Sequence, residues 1–218
     1  MKTFLALAVM AACQFAVAQN ITELKSFRGL AISGNIDVTL VASKENKLVI
    51  EEGDPKGLKI GSDEGNLALS TKGNAGYEVT LYFNGPIEEM AASGGVEITT
   101  KGTIKGKNME VSIAGGSKAT LSLDIDHLST AIASGSEMTL SGKAKNMEAA
   151  VASGGELEAG GFKTENSSAV VASGGEAKIY ATGNVDATVA SGGELTILGN
   201  PKKVNQVKAD GGEINVVK

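Results

Sequence analysis

The sequence has little of several residue types on which globular domains and enzymes commonly depend. Its 218 residues include no tryptophan, one cysteine (Cys13) and one histidine (His127), and aromatic residues make up 4%. A large core filled by rings is therefore not expected. One histidine and one cysteine do not provide the nitrogen and sulfur ligands of a transition-metal site. We expect no bound metal and no cofactor.

The charge balance and the distribution of apolar residues exclude further classes. The net charge is -5 and the pI is about 5.1, so the chain lacks the basic footprint that binds DNA or RNA, and we expect no nucleic-acid partner. A hydrophobic fraction of 42% is too high for a mostly disordered chain. Beyond the N-terminus no apolar run reaches the roughly 18–20 residues of a membrane helix, which predicts no transmembrane segment in the mature protein.

The N-terminus has the pattern of an export signal. Lys2 is followed by an apolar run over residues 4–15 and then by Ala16-Val17-Ala18, an A-x-A cleavage signal. We interpret residues 1–18 as a signal peptide and 19–218 as a single domain. Export would place the protein in the periplasm, on the outer-membrane surface or outside the cell.

Cys13 offers a second interpretation of the same segment. Met10-Ala11-Ala12-Cys13 loosely resembles the motif that precedes a lipidated cysteine, although methionine is unusual at its first position. Signal-peptide cleavage would leave a mature chain without cysteine, whereas lipidation would anchor the protein to a membrane.

Glycine is abundant, with 29 residues, and much of it lies in a recurring phrase, Ala-Ser-Gly-Gly-Glu. The first glycine of the phrase and of its near copies recurs at steps of 19, 19, 20, 18 and 19 residues, at Gly116, Gly135, Gly154, Gly174, Gly192 and Gly211. Polar and apolar residues alternate after each copy, which predicts a strand, a tight glycine bend and a second strand. This period is too short for helical-pair repeats or propeller blades. It predicts an all-β parallel β-helix, or β-solenoid, with coils of about 19–20 residues.

The N-terminal third repeats less regularly. Gly34 and Gly94 are 60 residues apart, which predicts three coils between them, and turn residues separate several strand-like segments there. This part is expected to be flatter and more sheet-like than the rest.

Two columns of residues precede each bend, and the sequence does not decide which of them faces the core and which faces solvent. The nearer column is alanine, at Ala133, Ala152, Ala172, Ala190 and Ala209. The farther column is aliphatic, at Ile113, Ile132, Val151, Val171 and Val189, with Lys208 in the last coil. If the alanines face inward, alternation puts the aliphatic residues outside as a partner surface; their hydrophobicity favours the core instead.

The candidate functional residues are glutamates that follow each bend at the same repeat position, namely Glu137, Glu156, Glu176, Glu194 and Glu213. Stacked coils would set their carboxylates about 5 Å apart, with Lys118 at the matching place one coil earlier. A solvated acidic face that aids solubility is one interpretation, and weak calcium binding is the other. Because the calcium-roll motif Gly-Gly-x-Gly-x-Asp is absent, we assign no metal site.

Catalytic motifs do not emerge from the sequence. His127 has no nucleophile-elbow motif to serve, and the chain's sole arginine, Arg28, is far from the regular repeats. Acidic residues occur mostly once per coil, whereas glycoside hydrolases need carboxylates paired across a cleft. We therefore predict no catalytic residues and no enzymatic activity.

The opening Phe27-Arg28-Gly29-Leu30, the segment Ser33-Gly34-Asn35-Ile36-Asp37-Val38 and the recurring Ser-Gly phrase resemble the bacterial head GIN-domain family of autotransporter adhesins. The resemblance covers essentially the whole mature chain. It implies a right-handed β-solenoid and an adhesin role, but no catalytic residues. The family phrase tends to be Ser-Gly-Ser-Gly where this chain has Ser-Gly-Gly-Glu, so a ligand site tied to the phrase does not carry over.

Together these observations predict an exported, non-enzymatic cell-envelope protein that acts as a surface-interaction module, with a protein or a glycan as its partner. The alternative is a carbohydrate-binding or polysaccharide-processing envelope protein. In the last coil, Lys202, Lys203 and Lys208 place charge where another chain could add strands, which predicts a monomer or a small oligomer rather than fibres.

The signal-peptide interpretation predicts that the mature chain begins at Gln19. Intact-mass and N-terminal peptide analysis of the exported protein checks this. A diacylated or triacylated Cys13 at the N-terminus would contradict it and would place the protein on a membrane.

Overall fold

A computed structural model of the protein describes residues 20–71, 73 and 75–217. The predicted signal peptide, residues 1–18, and Cys13 lie outside these residues. All the regular secondary structure in the described ranges is β-strand. Accordingly, these ranges contain no helix long and apolar enough to cross a membrane.

Nineteen strands are present in the described residues, and all belong to one sheet that winds around the core. In the N-terminal part they are β1 (Asn20–Glu23), β2 (Gly29–Ser33), β3 (Ile36–Ala42), β4 (Lys47–Glu52), β5 (Leu58–Asp63), β6 (Asn66–Thr71), β7 (Tyr77–Phe83), β8 (Glu89–Ser93) and β9 (Glu97–Lys101). In the remainder they are β10 (Ile104–Lys105), β11 (Asn108–Ala114), β12 (Lys118–Ile132), β13 (Glu137–Val151), β14 (Glu156–Val171), β15 (Glu176–Ala181), β16 (Asn184–Val189), β17 (Glu194–Leu198), β18 (Lys203–Lys208) and β19 (Glu213–Val216).

The regular part is a stack of parallel coils, as the glycine spacing predicts. Lys118 pairs with Glu137, Glu137 with Glu156, and Glu156 with Glu176, each in the next coil. The steps of 19, 19 and 20 residues equal the repeat read from the sequence. The prediction of a β-solenoid with coils of about 19–20 residues is confirmed, and the stack has about 7 turns.

Each central coil has three strand segments, and the buried positions show where one gives way to the next. In β14 the alternation shifts by one residue between Ala159 and Phe162, and again between Thr164 and Ser167. We call the surface of the segment that follows the glycine turn face 1, that of the middle segment face 2, and that of the segment that leads into the next turn face 3.

The aliphatic column that precedes each turn is in the core. Ile113, Ile132, Val151, Val171 and Val189 are all at most 1% exposed. The neighbouring alanines at positions 133, 152, 172 and 190 are half-buried instead. The interpretation of the aliphatic column as core is therefore confirmed, and this column is not an exposed partner surface.

The glycine phrase forms a tight turn whose two central residues have left-handed backbone. Ser153 has φ 52° and Gly154 has φ 69°, and the N–H of Gly155 donates to the carbonyl of Ala152 at 3.0 Å. Two consecutive residues with positive φ and this hydrogen bond are typical of a type I′ turn. The turns also bond to one another, because the N–H of Gly154 donates to the carbonyl of Ser173 in the next coil.

At the second glycine of the phrase the later coils approach closely, so a side chain there would contact the backbone of the preceding coil. A Cβ atom on Gly155 would lie 2.8 Å from the carbonyl oxygen of Ile132, and one on Gly175 would lie 2.9 Å from that of Val151. Two earlier coils have buried serines at this position, and the Ser117 hydroxyl donates to the Ala114 carbonyl at 2.8 Å.

The prediction of three successive coils between Gly34 and Gly94 is wrong. β2 lies between β6 and β8, and β3 lies between β7 and β9, all in parallel, so the first coil is inserted between two later ones. The residues between β3 and β6 form antiparallel strands, since β4 pairs with β1 and β7, and β5 pairs with β6. The sheet-like character expected of this region comes from these antiparallel strands.

The close approach at the turn predicts that Gly175→Ala destabilises the fold by about 1–3 kcal/mol, because the added methyl group overpacks against Val151. The matched control is the preceding residue, Gly174→Asn, where a side chain meets open space and asparagine tolerates positive φ. Urea unfolding monitored by circular dichroism measures both. Equal losses would contradict the steric explanation.

Candidate functional site

The predicted glutamates form a continuous column on face 1, which we call the acidic ladder. Glu137, Glu156, Glu176, Glu194 and Glu213 pair in register from coil to coil and are all exposed. Each is the first residue of its strand, so the preceding turn sets its position. Neighbouring coils are about 4.8 Å apart, which makes the ladder a line of negative charge.

The structure extends this column beyond the residues that the sequence indicates. Lys118 also pairs with Glu97, which pairs with Asp37, and Asp37 pairs with Glu78. These three residues do not follow from the repeat in the sequence, because the inserted first coil places Asp37 between Glu78 and Glu97. In the stacking order Glu78, Asp37, Glu97, neighbouring residues are not separated by about 19 positions in the sequence.

Two lysines compensate part of the charge on face 1. Lys118 Nζ lies 2.8 Å from Glu137 Oε2, and Lys178 Nζ lies 2.6 Å from Glu158 Oε2. The hydrogen bond and charge of Glu137 raise the pKa of Lys118 above its ordinary value of 10.5, and Glu158 does the same for Lys178. With a raised pKa, each lysine's contribution is fully present at neutral pH and is lost only as the pH rises above 10.5.

The acidic ladder is a row of carboxylates and not a cluster. Within the described ranges no three or more histidine, cysteine, aspartate or glutamate residues converge on a point where they could hold a metal ion. Beside the ladder runs a second column in which Thr80, Thr39, Thr99, Thr120 and Thr139 pair in register. Face 1 therefore presents parallel lines of carboxylates and hydroxyls.

His127 lies at the corner between faces 2 and 3 and is exposed. Its Nδ1 is 3.2 Å from Asn146 Nδ2. The same kind of contact continues along the corner, because Asn166 Nδ2 donates to Asn146 Oδ1 and Asn184 Nδ2 donates to Asn166 Oδ1, each at 3.2 Å. His127 is thus one end of a column of hydrogen-bonded amides.

A shallow polar groove runs over this corner, and we call it the corner groove. Its two adjoining hollows have volumes of about 470 and 300 Å³ and share His127, Asn146 and Glu148. The sequence predictions do not include this groove, although the spacing of its corner residues indicates a column. Its corner residues recur at steps of 19, 19, 20 and 18, the same steps as the glycines, at Asn108, His127, Asn146, Asn166 and Asn184.

The part of face 3 next to the turn is different, because its exposed side chains are small and mostly apolar. Ala68, Ala31, Ala91, Ser112 and Ala131 pair in register and line a hollow of about 530 Å³. Farther along the same column Val170 is 48% exposed and Val207 is 59% exposed. The solenoid therefore carries three chemically distinct strips along its length: acidic, polar and apolar.

Comparison with known proteins gives a family and a fold. A family model described as "Putative auto-transporter adhesin, head GIN domain" matches residues 26–201. No curated protein matches the chain. The crystal structure of a "putative adhesin" from Bacteroides fragilis is similar with a TM-score of 0.81 at 19% identity, over 91% of this chain and 96% of that one.

Two further crystal structures are similar over 92% of this chain. A "putative adhesin" from Parabacteroides merdae has a TM-score of 0.70 at 19% identity, over 96% of its own length. A "putative lipid binding protein" from Parabacteroides distasonis has a TM-score of 0.70 at 21% identity, over 97% of its own length. At these identities the likeness shows the fold alone.

The position of Lys118 within the acidic ladder predicts a salt-dependent effect of Lys118→Glu. The variant places a carboxylate between Glu97 and Glu137, so like charges repel and Tm falls at low ionic strength, with less loss at high salt because salt screens exposed charges. Lys59→Glu is the control, since it makes the same charge change on exposed β5, away from the ladder. Thermal melts at two salt concentrations measure both. An equal, salt-independent loss in both variants would contradict repulsion along the ladder.

Proposed function

This chain belongs to the family described as "Putative auto-transporter adhesin, head GIN domain", and on that basis we propose that it is an exported, non-enzymatic surface-interaction module of the bacterial cell envelope. Its proposed location is the periplasm, the outer-membrane surface or the exterior of the cell. Its proposed partner is a protein or a glycan at that envelope.

The observation that carries the proposal is the regular repetition of exposed side chains along the solenoid. Several columns repeat the same kind of exposed residue over successive coils, as in the acidic ladder and the threonine column beside it. Equivalent contacts recur about every 4.8 Å. A partner with its own repeats can engage several coils at once, and such linked contacts raise the overall affinity above that of a single contact.

Carbohydrate binding is the second candidate function, and the corner groove favours it. Amide, hydroxyl and carboxylate side chains line the groove, and these groups recognise sugar hydroxyls through hydrogen bonds. Polysaccharide processing has less support, because the carboxylates of the acidic ladder lie in a row and do not face one another across a cleft. Turnover of a polysaccharide in a reducing-sugar or unsaturated-product assay would overturn the non-enzymatic proposal.

The proposal predicts that adhesion depends on the number of coils. Deleting Ser134–Ala152 removes one whole coil, because the turn that begins at Ala133 is equivalent to the one that begins at Ala152. Neighbouring coils meet through equivalent surfaces, so we expect the shortened chain to fold. Beads coated with it should adhere to bacterial cells, epithelial cells or polysaccharide-coated surfaces less strongly than beads that carry residues 19–218, but above uncoated beads.

The control is a deletion of about half that length, which exchanges inward and outward residues and should prevent folding. Circular dichroism melts establish which variants are folded. If beads that carry the intact chain adhere to none of these surfaces more strongly than uncoated beads, a surface-interaction role is contradicted.

A further inference from the structure

We propose that the corner groove binds a neutral, extended β-1,4-linked polysaccharide that lies parallel to the solenoid axis. This inference rests on the proposed surface-interaction function and specifies the partner of one strip. Two columns of side chains line the groove, one on each side of the buried residues at its floor, such as Met109, Leu128 and Met147.

The first column is the row of amides that ends at His127, and its geometry is fixed by its own hydrogen bonds. Asn184, Asn166 and Asn146 each donate one amide N–H toward the preceding coil. Each amide nitrogen carries two hydrogens, so a second N–H remains for a ligand. Because the chain of hydrogen bonds orients these groups before binding, little side-chain entropy is lost when a ligand arrives.

The second column lies two residues farther along each strand and alternates between carboxylate and hydroxyl. Its members pair in register in the order Glu110, Ser129, Glu148, Ser168 and Asp186. Within the described part of the chain, the side chains of the first four make no hydrogen bond, whereas Asp186 accepts one from Asn205 at 2.6 Å. The column therefore offers acceptors and hydroxyls that remain available to a ligand.

The alternation in the second column sets the repeat length of the ligand. Between Glu110 and Asp186 carboxylates recur every second coil, which is about 9.6 Å at the usual strand spacing, and beyond Glu110 the column continues to Glu89 outside the groove. In a β-1,4-linked chain each sugar is turned over relative to the previous one, so equivalent hydroxyls recur once per disaccharide. An extended chain of this linkage places one disaccharide beside each pair of coils, whereas an α-1,4-linked chain coils away from a straight groove.

The charges around the groove favour a neutral ligand. Glu88, Glu110, Glu148 and Asp186 line it; Glu88 is ion-paired with Arg28 at 3.3 Å, and among the lining residues His127 alone can carry a positive charge. An anionic polysaccharide would be repelled by these carboxylates. The described residues that line the groove include no aromatic ring to stack on a sugar, so each sugar contributes little and affinity must rise with chain length.

The test uses residues 19–218 labelled with ¹⁵N and titrated with cellohexaose and chitohexaose. We expect saturable shifts of the side-chain amide signals of Asn146, Asn166 and Asn184 with a β-1,4-linked hexasaccharide, and weaker binding of the corresponding tetrasaccharide. Maltohexaose, which is α-1,4-linked, should leave these signals unchanged.

Two exposed glutamates on either side of one glycine turn, Glu148 in β13 and Glu156 in β14, make the matched pair of variants. Glu148→Ala removes a groove carboxylate and should raise Kd for the hexasaccharide about tenfold. Glu156→Ala removes a carboxylate of the acidic ladder and should leave Kd unchanged. Thermal melts check that both variants fold, and Ser129→Ala provides a second, smaller change in the groove.

Three results would overturn the inference: no saturable shift with either β-1,4-linked hexasaccharide, equal shifts with maltohexaose, or equal weakening by Glu156→Ala and Glu148→Ala. The bead assay separates this inference from the proposed function. Adhesion of the intact chain without hexasaccharide binding overturns the groove alone, whereas absence of adhesion contradicts the surface-interaction role whatever the groove binds.

Discussion

The left-handed turn of the regular coils is the constraint on which the rest of the structure depends. It requires two consecutive residues with positive φ, and the serine–glycine pair accepts this conformation because the turn bonds within itself and to the next turn. The turns fix the register, and the register places every side chain directly above its counterpart. The buried aliphatic column, the acidic ladder and the amide column all follow from that one alignment.

The regular coils were predictable from the sequence because their information is local. A glycine phrase at a constant step and alternating residues after it determine the turn, the strand and the face of each residue, including the five glutamates of the acidic ladder. The direction of the columns before the turn was left open because two residues inside the turn interrupt the alternation. The burial of Val151 and Val171 shows that the aliphatic column faces the core, as its hydrophobicity favours.

The N-terminal arrangement was not predictable in the same way. Spacing alone does not distinguish a strand that continues the stack from one that pairs antiparallel, and β4 and β5 are antiparallel. The extension of the acidic ladder to Asp37 was missed for this reason, because it depends on which strands become neighbours. The amide column carries a local signal, because its residues recur at the same steps as the glycines.

The inserted first coil also affects the order in which the protein can fold. β2 and β3 are completed on both sides only by β6 to β9, so residues near Gly34 wait for partners about 60 residues later in the chain. Contacts between distant residues form slowly because a long loop must close first. The coils after β9 need only their immediate predecessors. Folding should therefore nucleate in the regular array and close at the N-terminus last. A chain that crosses a membrane N-terminus first could complete its leading end only after β9, which ends at Lys101, has emerged.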